Sequence, residues 1–277
     1  MKVGPYILEG VLGAGGMGTV HRGRHAVLEH DVAVKELTYP DPSSRALFVQ
    51  EARLLFGLKH PSFPTVYDLI EQGGATYLVM DFVRGPTLRG LLDRARLKGP
   101  EAALLGRGLC AALESLHGMG MLHRDIKPEN IMLPRGLAEP VIVDFGIACR
   151  VGSAGVLAFT PGMAPPEQVA GLPCGPWSDV YQVGATLYAC LTGAAPPEPS
   201  ARASDDELGA AWGLVAGEPS LARPVRWALS LDPGHRPSSA RQLMAALGEP
   251  PAPAPPLHAV SLAAPPAARR GVFDIRR

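Results

Sequence analysis

His123-Arg124-Asp125-Ile126-Lys127-Pro128-Glu129-Asn130 is the stretch on which the reading of this chain turns. It follows directly on a helical pattern that opens at Pro100 and closes at Gly118, with Leu105, Leu109, Leu113 and Leu116 along one face. A short apolar strand over 141–143 then delivers Asp144-Phe145-Gly146. Working outward, Val32-Ala33-Val34-Lys35 places a lysine in an apolar strand. Glu51 falls on the apolar stripe that Leu47, Leu54, Leu55 and Leu58 draw along a helix over 43–58. A lone charge on an apolar face is costly to bury. The simplest solution is a Lys35–Glu51 pair with a phosphate as second anion for the lysine; the bland alternative is that either side chain snorkels to solvent. Near the start, Gly13-Ala14-Gly15-Gly16-Met17-Gly18 is a GxGxxG. Dinucleotide folds use this spacing before a helix, whereas here it opens Thr19-Val20-His21-Arg22-Gly23, which reads as a strand. Its backbone N–H groups suit phosphates, and an ordinary flexible hairpin has the same spacing.

The remaining pattern sorts strands early and helices late. Strands are expected over 6–12, 19–25, 31–37, 66–71 and 76–83, the last two joined by Gly73-Gly74. A helix over 178–191 is expected with Ser178 as N-cap and Gly193 just past its end, and weaker helices over 205–215, 221–229 and 238–247. A small β-rich part before a larger helical part implies a cleft between them. The Pro/Ala-rich run from Pro250 to Pro266 reads as an extended or disordered linker, so the globular part should end near Leu247.

Length and composition bound the function. The 277 residues leave room for one large domain or two lobes. Lys+Arg and Asp+Glu are both 26, which gives no electrostatic case for nucleic acid or an anionic membrane. No uninterrupted apolar run approaches the roughly 18 residues of a membrane span, and MKVGPYILEG lacks the apolar core of a signal peptide. The four cysteines, Cys110, Cys149, Cys174 and Cys190, form no CxxC pair. Free thiols in a reducing cytoplasm are therefore expected.

Taken together and in order, the glycine loop, Lys35, the 123–130 loop and Asp144-Phe145-Gly146 resemble the signature set of the protein kinase superfamily over about residues 6–247. GAGGMG, HRDIKPENIML and PPEQ resemble the bacterial serine/threonine kinases of eukaryotic type, and Lys127 two residues after Asp125 matches the serine/threonine form. The resemblance implies an α+β fold with an N-lobe over 1–80, a hinge over 81–85, a C-lobe over 86–248 and a tail over 249–277. It implies transfer of the ATP γ-phosphate to protein hydroxyls, with ATP and Mg²⁺ as cofactors. Gly13, Gly15 and Gly18 would cover the phosphates, with Leu12 and Gly16 beside them. Lys35, held by Glu51, would bind the α/β-phosphates. Asp125 would orient the substrate hydroxyl, Lys127 would sit on the γ-phosphate, and Asn130 and Asp144 would hold the metal. Val20 and Ala33 from above and Met132 from below would sandwich the adenine, Met80 matches the gatekeeper, and the backbone of Asp81 and Val83 would bond the adenine edge. Asp179 would brace the catalytic loop, and Glu167 and Arg236 match the buried ion pair of the large lobe. The partners implied are ATP and protein substrates, with no nucleic acid, no membrane insertion and a transient dimer for autophosphorylation in trans.

The departures lie on the substrate side. The segment 147–166 is short, its only hydroxyls are Ser153 and Thr160, and Phe159 stands where glycine is usual. Arg124 would receive a phosphate if Ser153 were modified; the alternative is a loop ordered by Val156, Leu157 and Phe159 alone. Two rival readings stand beside the kinase: a pseudokinase scaffold, supported by the odd 147–166 segment, and a small-molecule kinase of the aminoglycoside type, against which Asp144-Phe145-Gly146, Lys127 and Pro165-Pro166-Glu167 all speak.

Overall fold

The computed structural model describes residues 1–15, 18–37, 49, 52, 55–144, 149–150, 159–202 and 207–248. Glu51, Gly16, Phe145, Gly146, Ser153 and the tail over 249–277 lie outside the described residues, as does most of the expected 43–58 helix; Val49, Ala52 and Leu55 within it are helical.

The first half builds one antiparallel sheet. Its strands are β1 (Lys2–Val3), β2 (Tyr6–Gly15), β3 (Gly18–His25), β4 (Asp31–Leu37), β5 (Val66–Gln72) and β6 (Ala75–Asp81), in the order β1-β2-β3-β4-β6-β5. Alternation along β4 decides which face does what, because successive side chains point to opposite faces. Val32 and Val34 pack with Val3, Tyr6, Leu8, Tyr77 and Val79 on the outer face. Ala33 and Lys35 take the other face; Ala33 pairs across to Met80, and Lys35 to Val20 on one side and Leu78 on the other. The last strand ends at Asp81, two residues short of the expected 83, and Phe82 begins the connection to the helical lobe.

Helices α1 (Leu88–Leu92), α2 (Gly99–Gly118), α3 (Pro166–Val169), α4 (Pro176–Thr192), α5 (Trp212–Ala216), α6 (Pro219–Ala228) and α7 (Ala240–Ala246) follow. Short strands β7 (Met121–Leu122), β8 (Ile131–Met132), β9 (Val141–Ile142) and β10 (Cys149–Arg150) pair as β8 with β9 and β7 with β10. The α2 leucines Leu105, Leu109, Leu113 and Leu116 are fully buried, as their spacing requires. Helix α4 is buried almost throughout and forms the axis of the lobe. Gly184 lets it approach α6 closely: a Cβ there would stand 2.7 Å from the Ala228 methyl. Its start corrects the sequence reading. Pro176 occupies the first turn, Gly175 is the N-cap, and Ser178 sits inside the helix with its Oγ accepting the Gly175 N–H at 3.2 Å. The stop is as expected, with Gly193 left-handed at φ 82°.

No helix among the described residues is long and apolar enough to cross a membrane. Cys110, Cys174 and Cys190 are buried free thiols. Burial raises the Cys110 and Cys174 thiols above their usual range and pushes Cys190 up to about 12, which suits packing and not reactivity.

Candidate active site

A cleft of about 440 Å³ lies between the sheet and the helical lobe. Leu12, Gly13, Val20, Ala33, Lys35, Met80, Asp81 and Val83 line it from the sheet side, and Asn130, Met132 and Asp144 from the other. Gly15 and Gly18 pair across the tip of the β2–β3 hairpin, where Gly18 has φ 132°, and do not line the cleft. Sequence reasoning did not place Pro64, Thr87 and Val143, which also line it. Thr87 carried a readable signal. It caps α1 by accepting the Gly90 N–H at 3.0 Å, and it bridges to Met132.

At the inner end, the buried Lys35 ammonium is paired with the Asp144 carboxylate. A buried ammonium needs such an anion. Asp144 itself is held at φ 68°, a conformation that costs a non-glycine residue of order 1–3 kcal/mol and persists only when its surroundings over-determine it.

The 123–130 loop supplies the polar centre. The Lys127 ammonium lies 2.9 Å from Asp125 Oδ2 and donates to Thr160 Oγ1 at 2.9 Å. Asn130 Nδ2 donates to the same Asp125 Oδ2 at 2.7 Å and to the Asp125 carbonyl at 3.0 Å. Both side-chain donors thus converge on Oδ2, and Oδ1 has no hydrogen bond to any described residue.

The loop backbone is held from below by the buried helices. Asp179 of α4 accepts the N–H groups of His123 at 2.9 Å and Arg124 at 2.8 Å, and its Oδ2 lies 2.8 Å from His117 Nε2. This is the brace that the sequence implied. Against full burial, which raises it, the His117 bond and charge and the two N–H groups hold the Asp179 carboxyl below the usual range. Two glutamines complete the grip and were missed. Gln182 Oε1 accepts the Ile126 N–H at 2.9 Å, and Gln182 Nε2 and Gln168 Nε2 donate to the Arg124 carbonyl at 2.6 and 3.0 Å. Arg124 has φ 64°, so these bonds hold a strained residue next to Asp125. The available signal was Gln182 three residues after Asp179, an amide on the same face of an otherwise apolar helix. His123 is fully buried, and burial lowers its pKa against the nearby carboxylates of Asp179, Asp125 and Asp144.

Below the loop, Glu167 and Arg236 form the expected buried pair, bidentate at 2.8 and 3.0 Å, with Ser178 Oγ donating to Glu167 at 2.7 Å. On the sheet side, the Asp81 carboxylate accepts the Thr65 N–H at 2.8 Å and the Tyr67 hydroxyl, while the Asp81 N–H donates to the Thr65 carbonyl at 3.0 Å. The bond to Asp81 pushes the Tyr67 phenol up to about 12.

A twisted sheet over a helical lobe, with a lysine–aspartate pair and a braced Asp–Lys–Asn loop in the cleft between, is the architecture of a protein kinase. The protein kinase domain pattern matches residues 6–245, and the chain belongs to that family, in its bacterial serine/threonine branch. Among its relatives is a probable serine/threonine-protein kinase of Streptomyces coelicolor, 39% identical over 68% of this chain and 30% of the relative. Another is the serine/threonine-protein kinase pkn3 of Myxococcus xanthus, 33% identical over 87% of this chain and 49% of the relative. The chain thus spans half or less of the length of these relatives. The PknI kinase domain of Mycobacterium tuberculosis superposes with a TM-score of 0.72 at 27% identity, covering 89% of this chain and 96% of that one.

Proposed function

We propose that this chain transfers the γ-phosphate of ATP to serine or threonine hydroxyls of protein substrates. The observation that carries the reading is the convergence of Lys127 and Asn130 on one oxygen of Asp125, with Thr160 on the same lysine and the Lys35–Asp144 pair lining the same cleft. The domain limits implied by sequence, 1–80, 81–85, 86–248 and 249–277, are kept as part of this proposal.

The donor set fits a nucleotide with Mg²⁺. Both Asn130 amide hydrogens are committed to Asp125, which leaves its carbonyl oxygen for a cation beside the Asp144 carboxylate. No group of three or more His, Cys, Asp or Glu among the described residues could hold a metal, so other ligands would come from phosphate and water, as Mg²⁺ tolerates. When bound, Mg²⁺·ATP supplies the phosphoryl group and neutralises the charge of the polyphosphate. The residues of the chain do the rest. Val20, Ala33, Met80 and Met132 enclose the base, and the backbone of Asp81 and Val83 meets its edge. Lys35, which the family resemblance pairs with Glu51, would bind the α/β-phosphates. The substrate hydroxyl would donate to Asp125 Oδ1 and leave its proton there as its oxygen bonds the γ-phosphorus, while the bond from that phosphorus to the β,γ-bridging oxygen breaks and ADP leaves. Lys127 offsets charge developing on that group while Thr160 fixes the lysine. Gly13, with Leu12 at the mouth, lines the cleft, and Gly15, Gly16 and Gly18 at the hairpin tip would cover the phosphates with backbone alone.

A cytoplasmic setting, where ATP and reduced thiols coexist, is part of the proposal, as is autophosphorylation in trans through a transient dimer. A phosphate added to Ser153 and bound by Arg124 would be its regulatory element, the alternative being a loop ordered by Val156, Leu157 and Phe159 alone. Incubating the purified chain with γ-labelled ATP, Mg²⁺ and a generic basic protein tests the reading. Label is expected on serine or threonine with wild type and absent with Asp125→Asn. Nucleotide binding without transfer would make the chain a pseudokinase.

A further inference from the structure

We propose that the groove between α5 and α6 is a docking site for an acidic segment with an apolar anchor in the proteins this kinase phosphorylates, separate from the catalytic cleft. The identity of the partner rests on the kinase reading; the groove does not.

A single turn joins the two helices, with the Glu218 N–H on the Val215 carbonyl at 3.0 Å. Helix α6 turns Leu221, Pro224, Val225 and Ala228 into the core. Its other face, Ala222, Arg223, Arg226 and Trp227, lines with Trp212 and Ala216 of α5 an open cavity of about 550 Å³. Such a volume falls in the range of true ligand pockets, roughly 300–1,000 Å³. Two of the three tryptophans in the chain converge here, Trp227 is 36% exposed, and Leu214 of α5 is 46% exposed. Single exposed apolar residues are ordinary, but paired indoles around a concavity mark an interaction surface.

Charge selects the occupant. Among the described residues, the lining holds Arg223 and Arg226 and no carboxylate, in a chain of zero net charge. Arg226 is held 4.8 Å over the Trp212 ring and adds positive charge to the wall, and the exposed Arg223, which makes no hydrogen bond or ion pair with any described residue, is the guanidinium open to a ligand. A guanidinium recognises a carboxylate in a bidentate fork, and tryptophan and arginine dominate binding energy at interfaces. A leucine or phenylalanine between the indoles, flanked by aspartate or glutamate, matches both features. The tail segment Val272-Phe273-Asp274-Ile275 offers an anchor and one acid but is flanked by Arg269, Arg270, Arg276 and Arg277, the wrong sign for this groove.

The frame of the lobe ties the groove to the acceptor side of the active site. The carbonyl of Ser230, in the groove wall, accepts Arg236 Nε at 2.6 Å, and Arg236 grips Glu167, a few residues beyond Thr160. A protein held at the groove therefore keeps a fixed relation to Thr160, which raises the effective concentration of its acceptor hydroxyl.

The test uses the full chain and a fluorescein-labelled peptide, Glu-Asp-Leu-Phe-Asp-Glu, alone and fused through a Gly/Ser linker to a serine acceptor peptide. Wild type and Asp125→Asn are expected to bind it equally. Arg223→Glu and Trp227→Ala, checked for unchanged melting temperature, are expected to bind it at least about ten-fold more weakly. The fusion should lower the acceptor KM about ten-fold in wild type and not in Arg223→Glu, with kcat and the KM of the unfused acceptor unchanged. Failure of wild type to bind, equal binding of a Gln/Asn analogue, or binding with no effect on KM overturns the proposal. Tighter peptide binding by Phe273→Ala would show that the tail fills the groove and would also overturn it. Absence of transfer to either acceptor would instead overturn the kinase reading, and the partner with it, while the binding results still judge the groove.

Discussion

Asp125 and Asp144 are both carboxylates of the same cleft, and they should fail differently. Asp125→Asn leaves the Asn130 and Lys127 contacts near their places but removes the proton acceptor, so kcat should fall by about 10²–10⁴-fold. Nucleotide affinity, measured by titration, should stay near wild type. Asp144→Asn should lower turnover comparably and also weaken Mg²⁺-dependent nucleotide binding, because the anion beside Lys35 is lost. Near-wild-type turnover in either variant would remove that residue from the mechanism. His123 gives the chain an acid sensitivity of a definite sign. Its folded pKa is depressed by burial, so the unfolded chain takes up the proton first as pH falls below about 6.5. The stability it contributes is complete above that pH and is lost as pH falls from there toward its folded value. Urea midpoints at pH 7.5 and 5.5 should differ more for wild type than for His123→Leu; equal differences would show that His123 does not titrate on unfolding. At this scale Lys35 was legible as a charge on an apolar strand, whereas Asp179 and the Glu167–Arg236 pair were legible only through the resemblance to protein kinases. Gln168 was not legible and Gln182 gave only a weak signal, because an uncharged amide on a helix face is a smaller contradiction than a charge until the Arg124 carbonyl is seen against it.

Elements carry the next layer, through the contacts that fix one to another. The Glu167–Arg236 pair joins α3 to the segment before α7 with both partners buried. Arg236→Met strands a buried carboxylate and should cost about 3–5 kcal/mol in denaturant unfolding, whereas pairing it with Glu167→Gln should recover part of that loss. A loss below 1 kcal/mol would mean that Ser178 alone satisfies Glu167. At the opposite side of the cleft, Asp81 ties the end of β6 to Thr65 and Tyr67. Tyr67→Phe removes one of those ties and keeps the ring, so it should raise the KM for ATP a few-fold and leave the acceptor KM and kcat alone. Equal changes in both KM values would count against a hinge-positioning role. Strand and helix periods read the elements well because each has one buried face: Ala33 and Lys35 against Val32 and Val34, or the α2 leucines. The start of α4 was misread. Ser178 has the chemistry of an N-cap, but Pro176 has the fixed φ of a first-turn residue and moves the cap to Gly175.

Over the whole molecule, one apolar core runs without a break from Ala33, Leu78 and Met80 in the sheet through Leu58 and Phe63 to Leu105, Leu187 and Leu243 in the helical lobe. A continuous core couples the lobes energetically, although their chemistry meets only in the cleft. Such a molecule should unfold in one cooperative transition with coincident fluorescence and far-UV signals. Saturating Mg²⁺·ATP should raise its midpoint, since a ligand bound only by the folded state stabilises it by mass action. The chain beyond Gly248 adds almost nothing that this core could bury: its bulky apolar residues are few, and Val272, Phe273 and Ile275 are separated from α7 by the Pro/Ala-rich run. Low apolar content leaves too little burial to offset the entropy of ordering such a segment. Deleting residues 249–277 should therefore change neither the melting temperature nor the turnover of a generic acceptor. Because about 1 kcal/mol moves the midpoint of a domain this size by about 2–4 °C, calorimetry resolves a contribution of that order. A midpoint several degrees lower in the truncated chain would show that Val272–Ile275 docks on the kinase lobes, and Phe273→Ala in the full chain should then reproduce most of the shift.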